Sequence, residues 1–212
     1  MFLTFEGVDC SGKTTQAALL VDALRARSGA VVHFIREPGG TAISERLREI
    51  LLDRSNLELS ELTELFLFSA SRAQLVARFI LPALARGEIV VCDRFYDSTT
   101  AYQGYGRGLD LDAVRRINAV AAAGTDPDLT VLVDIPVDEI EVRKRASGSL
   151  PDRMESAGRA FYERVRRGYL TIARDQPGRF AVFDGMRNVN DIALDIRRAV
   201  EERLEQPHRE EK

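Results

Sequence analysis

The sequence predicts an α/β fold, a three-layer α/β/α sandwich with helices on both faces of a five-stranded parallel sheet. Two observations carry that prediction. Short apolar runs rich in Val, Ile and Phe alternate with longer stretches of helical periodicity from end to end of the chain. The runs also lack the in-and-out alternation of a half-exposed strand, as strands buried on both faces should. They lie at Phe2 to Phe5, Val31 to Ile35, Ile89 to Cys92, Leu129 to Ile135 and Phe180 to Phe183. Helical patterns occupy about 13–27, 42–53, 58–86, 110–123, 137–146, 155–175 and 189–205. Right-handed crossovers then put helices on both faces, and ligands collect at the carboxyl ends of the strands.

Composition narrows the class. A chain of 212 residues suits one domain, and 45% hydrophobic with 30% charged residues is ordinary for a globular protein. A net charge of -3 gives no reason to expect a nucleic-acid partner. The N-terminus starts directly in a strand with no leader, and no stretch approaches the length of a membrane span. A cytoplasmic location without a membrane partner is therefore expected. Cys10 and Cys92 form no metal-ligand pattern and are expected to be reduced. The polar tail 206–212 reads as frayed.

The most specific signal lies between the first strand and the first helix. Gly7-Val8-Asp9-Cys10-Ser11-Gly12-Lys13-Thr14 has the spacing of a phosphate-binding loop. Its glycines let the backbone curl so that successive N–H groups point at a β-phosphate, with a helix N-terminus behind them. Lys13 would bridge the β- and γ-phosphates, and the Thr14 hydroxyl would bind Mg²⁺. GTPases, motor ATPases and small-molecule kinases all use such a loop. Near the fourth strand the chain reads Val133-Asp134-Ile135-Pro136, without the Asn-Lys-x-Asp motif of a guanine site. A small phosphotransferase fits the length better than a motor.

Two further segments face the same cleft. Asp93 ends an apolar run, where a carboxylate can hold Mg²⁺ directly or through water. Arg94 follows it with the fork geometry for bidentate phosphate contact; the plainer reading of the two is a surface ion pair. Phe68, Arg72 and Leu75 share one helix face, so a ring and a guanidinium one turn apart could stack on a base and bond its carbonyl. By spacing alone, ordinary core packing is the better account of Phe68.

Phe5-Glu6-Gly7-Val8-Asp9, Gly12-Lys13-Thr14-Thr15-Gln16, Arg36-Glu37-Pro38-Gly39-Gly40-Thr41, Phe68-Ser69-Ala70-Ser71-Arg72, Asp93-Arg94-Phe95, Ala101-Tyr102-Gln103-Gly104 and Asp152-Arg153-Met154-Glu155 together resemble the motif series of bacterial thymidylate kinases, in family order. The resemblance implies transfer of the γ-phosphoryl of ATP to dTMP, with Mg²⁺. Other nucleoside monophosphate or deoxynucleoside kinases on the same scaffold, or an ATP-binding regulatory module without turnover, are the rival readings. By resemblance the phosphate loop takes ATP, and Asp9 lies on the substrate side near the sugar and the Mg²⁺ network. Arg94 would hold the dTMP phosphate and Phe68 would stack on thymine. Arg72 would bond a thymine carbonyl, with Thr99 and Gln103 completing the base and sugar contacts. Tyr102 would crowd a ribose 2′-hydroxyl. Arg36 is a phosphate-side contact or a structural residue. Adenine is expected near Asp184-Gly185-Met186-Arg187, and a homodimer is implied.

Members of this family place a key arginine either inside the phosphate loop after the aspartate or in a mobile lid. Cys10 takes the loop position here, so the lid, at about 143–154, must supply the charge. Arg145 and Arg153 are the catalytic candidates, Arg153 the better anchored by its Asp-Arg-x-Glu context. Arg143 and Lys144 read equally as a solvated helix end.

Overall fold

The computed structural model describes residues 1–27, 29–148, 153–154 and 158–205, with the side chain of residue 147 also outside the description. Five parallel strands, β1 (Phe2–Glu6), β2 (Val32–Arg36), β3 (Ile89–Asp93), β4 (Leu129–Asp134) and β5 (Phe180–Asp184), pair in the order β2-β3-β1-β4-β5. At the carboxyl end four of the five run one residue further than the apolar runs predicted and one, β4, ends one residue sooner, and the difference has a pattern. Every strand ends on an ionisable residue: Glu6, Arg36, Asp93, Asp134 and Asp184. The expected runs stopped short of these charges in four strands and overran by Ile135 in β4. The carboxyl edge of the sheet is thus lined with charge while its interior is apolar.

Helices α1 (Lys13–Ala26) and α9 (Val189–Glu205) cover one face, packing Leu20, Val21, Leu24, Ile192, Ile196 and Val200 on Leu3, Phe5, Val91 and Val131. The opposite face takes α3 (Glu61–Leu75), α6 (Leu111–Ala122) and α8 (Arg159–Asp175), while α2 (Ala42–Leu52) packs on α3. Side-chain caps start three of them: Thr41, Ser60 and Asp110 accept from the amides of Ser44, Thr63 and Ala113. α7 (Val137–Ser147) follows β4 and ends at Gly148.

The helix expected over 58–86 is continuous but not regular. α3 passes through a π-helical segment, Val76–Ile80, into α4 (Leu81–Ala85). Pro82 sits in the first turn of α4; it lacks an N–H and its ring crowds the carbonyl four residues earlier, which accounts for the changed register. Contrary to expectation, the stretch Glu61–Ala85 is long and apolar enough to cross a membrane by length and composition, with mean hydropathy 1.2. Here it is a core helix, since it buries Glu64 and Arg72 in ion pairs with other segments.

The segment after β3, which lacked helical periodicity, forms α5 (Tyr96–Thr99) and a second π-helical segment, Thr100–Gly106. Its order comes from tertiary packing against α8. A Cβ on Gly168 would come 2.7 Å from the Tyr105 ring, so the absent side chain is what lets the two segments meet. The helix expected over 155–175 is described from Arg159 onward.

Candidate active site

The loop after β1 turns back at Gly7, whose φ of 141° suits glycine and where a Cβ would collide with the Val133 carbonyl. Cys10 takes a left-handed conformation (φ 61°), and Gly12, at φ 93°, leads into α1. Lys13 is buried, and its Nζ reaches the Val8 carbonyl at 3.4 Å. Burial, then repulsion from Arg94, draws its pKa below the ordinary lysine range. Beside the loop opens a cleft of about 290 Å³. Asp9, Lys13, Thr14, Arg36, Glu37, Phe68, Asp93, Arg94, Thr99, Tyr102 and Gln103 line it, together with Pro38, Arg48, Leu52, Ser98 and Met154. The topology thus gathers on one cavity residues from the loop after β1, the loop after β2, α2, α3, the segments after β3 and residue 154, at the carboxyl edge of the sheet.

Arg94 is the centre of this wall. It is a non-glycine residue at φ 73°, a conformation that costs about 1 kcal/mol or more and persists where surroundings enforce it. Its Nη1 donates to the Gly7 carbonyl, Ser98 and Tyr169 at 3.0–3.1 Å, and its Nη2 to Asp9 at 2.5 Å and Tyr102 at 3.2 Å. The guanidinium also lies 5.0 Å from the Tyr102 ring centroid. Burial opposes its charge, but Tyr102, Tyr169 and Asp9 hold it well above the ordinary arginine range. Asp9 answers it: burial pushes the carboxyl up, yet Arg94 and Lys13 outweigh that and hold it below its ordinary value. Tyr162 donates to the other Asp9 oxygen at 2.8 Å.

Asp93 receives the Thr14 hydroxyl on one oxygen and keeps the other buried without a partner. Ser11 Oγ and Glu37 Oε1 are likewise buried and unpartnered. Such atoms are uncommon in native interiors, and three beside one phosphate loop and its cleft mark where polar ligand atoms belong.

Arg72 sits directly behind the lining residues Glu37 and Thr99. It is 1% exposed and donates through Nε to Glu37 (2.8 Å), through Nη1 to Asn118 (2.9 Å) and through Nη2 to Thr99 (2.9 Å). Phe68 does line the cleft, partly buried against the apolar cluster that includes Tyr102, Phe161 and Tyr162. Arg36 also lines it, but its guanidinium is engaged with Glu45 and the Pro38 carbonyl.

The lid arginines fall differently from expectation. Arg145 is 82% exposed and pairs with Glu141 one helical turn away, because its side of α7 faces outward. Arg153 donates to the Leu51 carbonyl and to Glu64 (2.7 Å), on the α2–α3 wall and not at the phosphate loop. Arg143 is the one that reaches the loop, bonding the Cys10, Ser11 and Gly185 carbonyls at 3.0–3.4 Å. Lys144 donates to Tyr162 and lies 4.9 Å from its ring centroid. Residues 149–152 and 155 of the expected lid and motif lie outside the described residues.

Sequence reasoning missed the buried carboxylates. Glu6 accepts from the Phe95 amide (2.7 Å), Ser98 (2.5 Å) and Tyr169 (3.0 Å), and burial with Asp97 nearby pushes its pKa up to about 7. Glu37 is also raised to about 7 by burial, against the pull of Arg72. Glu64 binds Gln103, Arg107 and Arg153. The one available signal was Glu6 itself, a charge abutting an apolar strand at the ligand edge. Tyr162 and Tyr169, seven residues apart on one face of α8, could have been paired in the same way.

Comparison with known proteins agrees with this geometry. The thymidylate kinase family model matches residues 5–196. Among similar proteins, a thymidylate kinase of Caldanaerobacter subterraneus subsp. tengcongensis is 47% identical over 96% of each chain. One of Pelotomaculum thermopropionicum is 48% identical over 96% of this chain and 94% of its own. A crystal structure of thymidylate kinase from Ehrlichia chaffeensis superposes with a TM-score of 0.78 at 36% identity, covering 95% of this chain and 98% of that one.

Proposed function

The chain belongs to the thymidylate kinase family, a membership that carries ATP-dependent phosphorylation of dTMP to dTDP, and we propose which of its residues perform that reaction. The observation that carries the assignment is the Arg94–Asp9 pair, held over the phosphate loop by five bonds to Arg94. Backbone amides of Gly7 to Thr14 cradle the ATP phosphates, and Lys13 neutralises charge at the β- and γ-groups. Arg94 clamps the dTMP phosphate in line. An oxygen of that phosphate attacks the γ-phosphorus while the bond to the β-bridging oxygen breaks, leaving ADP. The acceptor is already an anion, so no protein base is needed, and the protein contributes positioning and positive charge.

Thr14 and Asp93 are the residues that would hold Mg²⁺, and the buried, unpartnered Asp93 oxygen fits a cation there. When bound, Mg²⁺ would supply positive charge against the charge that develops on the transferred phosphoryl group. On the acceptor side Phe68 stacks on thymine. Arg72 has five N–H donors, and those not engaged with Glu37, Asn118 and Thr99 serve a base carbonyl. Thr99 and Gln103 meet the base, and Tyr102 excludes a 2′-hydroxyl. Arg36 borders the phosphate side. Residues 143–154 form a lid on a single domain, with Arg143 supplying charge at the phosphate loop and Arg153 anchoring the far end on Glu64. Leu62 and Phe66 on α3, each 52% exposed, and Val120 on α6, 82% exposed, give a face for a homodimer.

A coupled ADP-release assay with dTMP, dUMP, UMP, CMP and AMP tests the acceptor site: dTMP should dominate, and equal rates with UMP would refute the Tyr102 role. Asp93→Asn should raise the Mg²⁺ concentration needed for half-maximal rate at least about tenfold. An unchanged Mg²⁺ requirement would remove Asp93 from the metal site.

A further inference from the structure

We infer that Glu64 is a specificity-positioning residue, which selects a pyrimidine bearing N3–H by forcing the Gln103 amide to present its oxygen to the cleft. The inference rests on the reading that Gln103 meets the base. Gln103 is 1% exposed and lines the cleft, and its Nε2 donates to Glu64 Oε1 at 2.9 Å. An amide can be turned either way, and its two ends have opposite hydrogen-bonding character. Which way it points is settled by what it meets on the buried side.

Glu64 leaves no choice there. It is 1% exposed, and two guanidinium groups also donate to it, Arg153 at 2.7 Å and Arg107 at 3.3 Å. A carboxylate so engaged only accepts, so the NH₂ end of Gln103 must face it. Turning the amide over would set its oxygen against a carboxylate in a buried site, where unmade and opposed polar contacts are most costly. The Gln103 oxygen has no protein partner among the described residues, and it is the end left for ligand.

An acceptor in that place matches thymine or uracil, whose N3 carries a proton. It opposes cytosine, whose N3 is itself an acceptor. A site built around a buried hydrogen bond rejects the analogue that cannot make it, far more strongly than an apolar pocket rejects a change of size. Glu64 never touches the base; it acts through Gln103.

The test is calorimetric titration of dTMP and dCMP into the unaltered chain and the variants Glu64→Gln, Gln103→Leu and Arg107→Met. The unaltered chain should favour dTMP by at least about a hundredfold. Glu64→Gln can donate as well as accept and frees the amide, so the dTMP-to-dCMP ratio should fall about ten- to a hundredfold. Arg107→Met removes another Glu64 partner without freeing the amide and should keep the ratio within about twofold. If Gln103→Leu loses the ratio and Glu64→Gln keeps it, the orienting role is overturned while the base contact stands. An unchanged ratio in Gln103→Leu overturns the base contact itself. Should Glu64→Gln show no cooperative melt, the imino proton of dTMP bound to the unaltered chain decides. A hydrogen-bonded, slowly exchanging N3–H resonance supports an acceptor at Gln103, and its absence overturns the inference.

Discussion

Replacing Arg94 by Met should both loosen the fold and empty the acceptor site. Met keeps the length and apolar stem but deletes the guanidinium, and with it five donated bonds and the partner of Asp9. Removing one member of a buried ion pair costs about 3–5 kcal/mol, mostly through the charge left behind. The Arg94 and Asp9 side chains are each 17% exposed, so some water can reach the abandoned carboxylate and the lower end of that range applies. About 3 kcal/mol corresponds to a melting point lower by about 6–12 °C in a chain of this size.

The double variant separates the pair from the rest. Asp9→Asn removes the charge that Arg94→Met strands, so the two changes together should cost less than their sum by at least about 1.5 kcal/mol. Thermal melts followed by far-ultraviolet circular dichroism measure this cycle, and titration of dTMP measures binding in parallel. Strict additivity, or a single-variant melt within about 2 °C of the parent, would show that the pair is not the organising contact of the cleft. Unaltered dTMP affinity in a folded Arg94→Met protein would remove this residue from the phosphate clamp.

Arg143→Ala should lower kcat at least about tenfold, whereas Arg145→Ala, whose side chain is 82% exposed and, among the described residues, paired only within α7, should leave it within about twofold; steady-state kinetics with both substrates checks this, and equal effects would refute the α7 assignment. Arg153→Ala should reduce kcat far more than it raises KM for ATP, and an unchanged kcat would defeat the lid role. Glu6 has a folded-state pKa of about 7 against 4.5 unfolded, so the folded chain binds the extra proton between those values and the Glu6 contribution to stability declines as pH rises from about 4.5 to 7. The difference in melting temperature between the parent and Glu6→Gln should accordingly fall as pH is raised from about 5 to 8, and a constant difference would sink the assignment. The proposed homodimer should give way to monomer in light scattering when Phe66→Glu places a charge on the exposed α3 face, and a parent that is itself monomeric would remove the proposal.

Phosphate chemistry was legible in the sequence because it is local. The loop from Gly7 to Thr14 is contiguous, its glycines and lysine have fixed spacing, and the strand and helix around it follow from periodicity alone. Strands were legible for a related reason: a parallel strand is an apolar run, whatever lies next to it in the fold. Their last residues were not, because a charge breaks the run even where the backbone continues to pair, as Asp93 does with Phe5. The helical segments after β3 were hidden because Gly104, Gly106 and Gly108 lower helix propensity there, whereas contact with α8 supplies the order that propensity withholds.

Base discrimination is illegible for a deeper reason. Gln103 reads as one polar residue in a glycine-rich segment, and Glu64 as one of two acidic residues in the first four positions of a helix. Neither carries a motif, and 39 residues separate them. Their meaning arises only when folding sets a carboxylate behind an amide and leaves one end of that amide facing the cleft. The same holds for Arg72, whose sequence position predicts a hand extended to the base but whose burial gives three of its nitrogens to Glu37, Asn118 and Thr99. Residues that touch phosphate can be recognised by type, because any phosphate wants positive charge and amides. Residues that choose a base act through the direction of a proton, and that direction is set by neighbours which only the folded chain brings together.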